Sequence, residues 1–91
     1  MKLQANELTH ANVAALLEGG RAAIGAGDLA IDLTAVRQVD SSAVALLLAW
    51  QRDAAARGGC IALSNVPPAL TSLITLYGVD RLLGCAPAPS A

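Results

Sequence analysis

The chain has few aromatic and charged residues and only one histidine. Its 91 residues include no Phe, one Trp and one Tyr, and 14% are charged. Six Lys and Arg against seven Asp and Glu give a net charge of −1. This balance provides no cluster of positive charge that would bind a nucleic acid. A single histidine does not make a metal site. These scarcities argue against a DNA-binding protein and against a metalloenzyme.

Phosphate loops, cysteine motifs and long apolar runs are also missing. The stretch "GAGD" lacks the length and the downstream Lys of a P-loop, which argues against nucleotide binding. Cys60 and Cys85 have neither metal nor redox spacing, so we expect reduced, inert thiols. The longest apolar run, from Ala43 to Ala49, is far below the roughly 18 residues that span a bilayer. With no signal-peptide pattern at the start, we expect a cytoplasmic protein.

Aliphatic residues dominate what is present. Hydrophobic residues make up 55% of the chain, and its mean hydropathy is +0.54. A chain of this length forms one small domain, and this hydropathy is high for a soluble monomer, which favours burial against a partner. We expect the domain to occupy residues 1–84 and the Pro/Ala-rich tail, residues 85–91, to be disordered.

The apolar patterns predict strands that alternate with helices. Strand-like stretches are "MKLQANEL", "LAIDLTAV" and "CIALSNV", and "VDRLL" predicts a last short strand or turn. Helical spacing begins at Thr9 and ends at "GAGD", and it returns in "AVALLLAWQRDAAARG" up to Gly58 and Gly59. A third helix opens at Pro67 and Pro68 and ends at Gly78; its predicted buried face comprises Leu70, Leu73, Ile74 and Tyr77. This order predicts an α/β domain with a mostly parallel sheet.

The stretch "QVDSSAVALLLAW" places polar residues at the mouth of the second helix. Ser41 or Ser42 is predicted to cap its first backbone N–H groups, with Asp40 facing the positive end of the macrodipole. The apolar residues of this helix cover more than half of a helical wheel. Two interpretations remain open, a helix packed deeply in the core and a helix whose outer face docks on another protein.

Two other polar residues invite a catalytic interpretation. We assign Asp32, inside a strand-like run, a hydrogen-bonded structural role, because a carboxylate in an apolar setting usually finds partners. A Ser–His–Asp hydrolase could in principle combine Ser41, His10 and Asp32 or Asp40. No "GxSxG" elbow surrounds the serine, so we predict a protein with no catalytic residue, no cofactor and no metal.

The segment from "IDLTAVRQVDSS" through "NVPPAL" to "LYGVDRLL" resembles the STAS domain, the anti-sigma-factor-antagonist fold. Within that family it is most similar to the MlaB-like cytoplasmic subunits of Mla-type phospholipid ABC transporters. The resemblance implies a non-catalytic subunit that docks on the transporter's ATPase, reaches the membrane only through it, and supports outer-membrane lipid asymmetry. The implied interface comprises Asp40, Ser41, Ser42, Val44, Ala45 and Leu48. The alternative implication is an anti-sigma-factor antagonist whose Ser41 is phosphorylated by an anti-sigma kinase.

The beginning of the chain departs from the family pattern. Relatives usually have a two-strand hairpin before the first helix, and only "MKLQANEL" is available here, so either a strand is absent or the true start lies upstream. An absent strand would leave unpaired N–H and C=O groups at the sheet edge. We therefore expect a tendency to form homodimers.

Overall fold

The computed structural model describes residues 1–78. The predicted "VDRLL" element, Cys85 and the tail of residues 85–91 lie outside this range. Seven elements follow one another: β1 (Glu7–Leu8), α1 (Val13–Gly25), β2 (Ala30–Asp32), β3 (Gln38–Val39), α2 (Ser41–Ala56), β4 (Ala62–Ser64) and α3 (Pro68–Leu76). Among these residues no helix has both the length and the apolar character that a membrane crossing needs.

The sheet is parallel at every pairing within residues 1–78, as the sequence predicts. The first residues bridge to β2, since the Asp32 N–H donates to the Met1 carbonyl at 2.8 Å and the Leu3 N–H donates to the Asp32 carbonyl at 3.1 Å. Further along, β1 pairs with β3, and β4 pairs with β2 on its other side. Residues 1–8 therefore run parallel to residues 30–39. Of the predicted opening strand, only Glu7–Leu8 form a strand, and Lys2 makes an isolated bridge to Asp32.

Helix boundaries follow local signals closely at four of the expected positions. Gly27, Gly58 and Gly78 lie beyond the ends of the three helices with positive φ values of 94°, 78° and 67°, a conformation that glycine adopts without steric cost. Pro68 is the first residue of α3, where its missing N–H leaves no helical hydrogen bond unmade. These stop and start signals are confirmed.

Other expectations are corrected. Helix α1 begins at Val13 rather than Thr9, because residues 9–12 form a turn in which the Asn12 side chain accepts from the Thr9 N–H at 3.0 Å. Strand β3 has only two residues, too few to produce an alternating pattern, and was not predicted. Tyr77 is 52% exposed instead of buried, since α3 ends at Leu76.

The expectation of a reduced thiol is also wrong at Cys60. This residue is half-buried just before β4, and it is disulfide-bonded in the structure. Spacing along the chain gave no sign of this, because a disulfide depends on which cysteines the fold brings together.

The core lies between the sheet and the helices, and its largest side chain is Trp50. This residue is 0% exposed, and its indole Nε1–H donates to the Leu17 carbonyl at 3.0 Å. The ring lies on Gly20 of α1, where a Cβ atom would overlap the indole. The pairing of an indole with a glycine thus fixes how closely α1 and α2 pack. Deep packing is therefore confirmed for the inner face of α2.

Candidate functional site

The predicted polar cluster lies where two parallel strands end. Strand β1 leads into Thr9 and His10, and β3 leads directly into Asp40. Because β1 and β3 are neighbours, the His10 backbone N–H donates to Asp40 Oδ2 at 3.1 Å, and His10 Nδ1 lies 3.2 Å from the same oxygen. The carboxyl edge of the sheet thus joins residues that are thirty positions apart.

The cap of α2 is Asp40, which corrects the prediction that Ser41 or Ser42 caps the helix. Asp40 Oδ1 accepts from the Ser42 N–H at 2.8 Å, and the Asp40 N–H donates to the Leu8 carbonyl at 3.1 Å. An aspartate cap satisfies a free N–H group and places negative charge at the positive end of the helix. The start of α2 is consequently tied both to its own first turn and to β1.

The pKa of the Asp40 carboxyl is lowered in this setting. Partial burial opposes ionisation, but the hydrogen bonds from His10 and Ser42 together outweigh it. Asp40 is therefore a carboxylate at neutral pH and presents a fixed negative charge beside Ser41.

The remaining predicted interface residues differ in accessibility. Ser41 and Ala45 are exposed, and Ser42 and Leu48 are half-buried. Val44, by contrast, is 4% exposed and belongs to the hydrophobic core. The Ser41 hydroxyl makes no hydrogen bond within residues 1–78. The accessible part of the predicted surface is thus the first two turns of α2 without Val44.

The described residues do not form the hydrogen-bonded Ser–His–Asp arrangement that a hydrolase needs. His10 contacts Asp40, but no hydrogen bond joins His10 to Ser41 in the described part of the chain. The imidazole is 86% exposed, whereas a general base is held and oriented against its nucleophile. Within residues 1–78 no three His, Cys, Asp or Glu side chains come together to hold a metal ion.

Asp32 has the structural role that the sequence suggested. Its Oδ1 accepts from the Thr34 N–H at 2.9 Å, from the Thr34 hydroxyl, and from Asn65 Nδ2 at 3.1 Å. The Thr34 hydrogen bonds, then that of Asn65, lower the pKa of Asp32 to about 2. The carboxylate ties the end of β2 to the loop after β4, so its ionisation serves the fold.

Two features of this region were not predicted. One is His10 as a partner of Asp40, which only the pairing of β1 with β3 brings about. The other is a shallow furrow between α1 and α2 that begins at Ser42 and is lined by Ala14, Ala45 and Ala49. Alanines at helical spacing give no distinctive signal, since the same residues serve equally well as ordinary helix formers.

Comparison with known proteins agrees with this fold. A family model described as "Mlab, STAS domain" matches residues 4–84. Among solved structures, the chain is similar to the anti-sigma factor antagonist SpoIIAA in its unphosphorylated form, with 25% identity and a TM-score of 0.62. The match covers 91% of this chain and 86% of that one. No curated protein sequence matches the chain.

Proposed function

Because the chain belongs to the STAS domain family, we propose that it is a non-catalytic cytoplasmic subunit that binds the ATPase of an Mla-type phospholipid ABC transporter. STAS domains act through protein–protein contacts. In this proposal the subunit supports assembly and activity of the transporter, and so lipid asymmetry of the outer membrane, and it meets the membrane only through its partner.

The match of residues 4–84 to the model described as "Mlab, STAS domain" carries the proposal. The start of α2 supplies a surface that suits it, since Asp40 fixes the helix end while Ser41 and Ala45 are exposed. A rigid, accessible helix end is a suitable docking element, because little conformational freedom is lost on binding. The mean hydropathy of +0.54 also favours a subunit that buries surface against a partner.

A second candidate function rests on the likeness to SpoIIAA, an anti-sigma factor antagonist described in an unphosphorylated form. In that reading Ser41 is the position that an anti-sigma kinase phosphorylates. Its exposed hydroxyl is accessible to a kinase, and the phosphate would add nearly two negative charges beside the Asp40 carboxylate. Such a change would alter docking at the start of α2 directly.

Affinity purification of the tagged chain from its native cells separates the two functions. We compare the wild type with Ser41→Glu, which places a charge on the proposed surface, and with Thr71→Glu, which adds the same charge to an exposed position of α3. The transporter proposal predicts that an ABC ATPase and its permease copurify with the wild type and with Thr71→Glu. Recovery with Ser41→Glu should fall at least about tenfold, because an unpaired charge buried in an interface is costly.

Two results would contradict this proposal, the first its transporter function and the second its interface. One is copurification of a small kinase and a sigma-factor regulator together with a phosphorylated form in the intact mass, which supports the antagonist function. The other is equal loss with Ser41→Glu and Thr71→Glu, which would remove the start of α2 as the interface.

A further inference from the structure

We propose that the furrow between α1 and α2 binds an amphipathic helix of the partner, with an apolar anchor at one end and carboxylates at the other. The identification of this partner as the transporter ATPase rests on the proposed function. The chemistry of the bound helix is inferred from the furrow alone. The furrow begins at Ser42, next to the polar cap of α2, and extends away from that cap.

The furrow is continuous along the seam of the two helices. Both helices run in the same direction, so that Val13 lies near Ser42 at one end and Gly25 lies near Arg57 at the other. Three adjoining cavities of about 210, 260 and 400 Å³ share lining residues from one to the next. From residue 42 to residue 57 the seam is about 22 Å long, which corresponds to roughly four turns of α-helix.

The end nearest the cap is apolar and small. Its 210 Å³ cavity is lined by Val13, Ala14, Leu17, Ser42, Ala45, Leu46 and Ala49. Small-molecule sites usually enclose about 300–1,000 Å³, so this cavity suits one inserted aliphatic side chain better than a metabolite. The alanines keep the floor shallow enough for another backbone to approach. An apolar anchor of a docked helix is therefore the matching occupant.

The opposite end carries two arginines that form no ion pair with any residue of the described range 1–78. Arg21 Nε lies 2.9 Å from Asp53 Oδ2, an ion pair without hydrogen-bond alignment, and Arg21 also lies 3.5 Å from Glu18. Both acidic residues are therefore already paired with Arg21. Arg52 and Arg57 line the two farther cavities, are exposed, and form no ion pair within residues 1–78. Carboxylates of the bound helix would complement these two guanidinium groups.

Binding of purified variants to the purified partner ATPase tests the furrow. Ala14→Tyr fills the apolar end from α1, and its control is Ala15→Tyr, the next exposed residue of the same helix, which does not line the furrow. Arg52→Glu with Arg57→Glu reverses the charged end. Its control, Lys2→Glu with Arg37→Glu, changes the net charge equally at exposed positions elsewhere. Thermal unfolding of each variant confirms that it folds.

We expect Ala14→Tyr and the Arg52/Arg57 pair each to weaken binding at least about tenfold, because an interface tolerates neither an obstructed anchor nor reversed charge. Both controls should bind like the wild type, and wild-type affinity should fall as salt increases. Should Ala14→Tyr not fold, the charge reversal decides alone. Weakening by Ser41→Glu with no effect of either furrow variant would overturn the furrow and leave the proposed function standing.

If the wild type binds no ABC ATPase, the proposed function fails and the furrow is tested separately. A photo-crosslinking residue at position 14, with position 15 as its control, then captures the occupant in native cells. A crosslinked helical peptide with apolar and acidic residues supports the furrow. Crosslinks to a second copy of this chain, to lipid, or at equal yield from both positions would overturn it.

Discussion

The two faces of helix α2 differ in how completely they are filled. On the inner face Trp50 is fully buried against Gly20, and Val44 and Leu47 lie in the core. On the outer face Ala45 and Ala49 line a furrow that no residue of the described chain fills. The inner face leaves no room for change, whereas the outer face has space that another molecule can occupy. The first face holds the fold, and the second is where we place the partner.

Removal of the indole is the strongest test of the inner face. Trp50→Ala should lower the free energy of unfolding by about 3–5 kcal/mol, because it leaves a large cavity and removes the hydrogen bond from the indole to the Leu17 carbonyl. Leu48→Ala, on the half-buried side of the same helix, should cost clearly less. Urea unfolding measures both, and equal losses would contradict the contrast between the two faces.

The neighbouring glycines of α1 sharpen the same contrast. Gly20→Ala should destabilise by about 1–3 kcal/mol, because its methyl group would overlap the indole of Trp50. Gly19→Ala has open space around the new methyl and should stabilise by up to about 1 kcal/mol through helix propensity. The sign of the difference between these two variants, measured by urea unfolding, is the test. A stabilising Gly20→Ala would show that the indole does not lie on Gly20.

At the start of α2, Asp40→Ala should lower the thermal midpoint by a few degrees, because the Ser42 N–H loses its acceptor. Asp40→Asn keeps a capping oxygen and should lose less. Calorimetry of the three proteins measures the effect. A midpoint unchanged in Asp40→Ala would mean that the cap does not stabilise the helix.

Acid stability probes the carboxylate that ties β2 to the loop after β4. The pKa of Asp32 is lowered from 3.8 to about 2 in the folded chain. Its ionised form therefore contributes stability above pH 4, and this contribution is lost as the pH falls from 3.8 through 2. Asp32→Asn should flatten the pH dependence of unfolding in this window. A profile identical to the wild type would remove this role.

Local signals predicted the helices better than they predicted the contacts between them. Helix ends at glycine and the start at Pro68 follow from the conformational limits of single residues. Asp40 as the cap, however, depends on which oxygen reaches the Ser42 N–H, and from the sequence we assigned this role to Ser41 or Ser42. Strand β3 exists because β1 lies beside it. Its two residues have no pattern of their own.

The burial of Trp50 shows the same limit at longer range. The helical wheel of α2 left open whether the indole is packed or exposed. Gly20, thirty residues earlier, settles the matter by leaving room for the ring. The candidate surface was therefore predictable as a segment, through "VDSS" and the family resemblance. Its division into a buried Val44 and an exposed Ala45 required the packed structure.

We place the partner at the start and the outer face of α2. Alanine-methyl NMR of the labelled chain, titrated with the purified transporter ATPase, tests this placement most directly. We expect the signals of Ala45 and Ala49 to shift or broaden, while those of the exposed Ala62 on β4 and Ala69 on α3 remain unchanged. Changes confined to Ala62 and Ala69, or no change at any methyl at saturating ATPase, would contradict it.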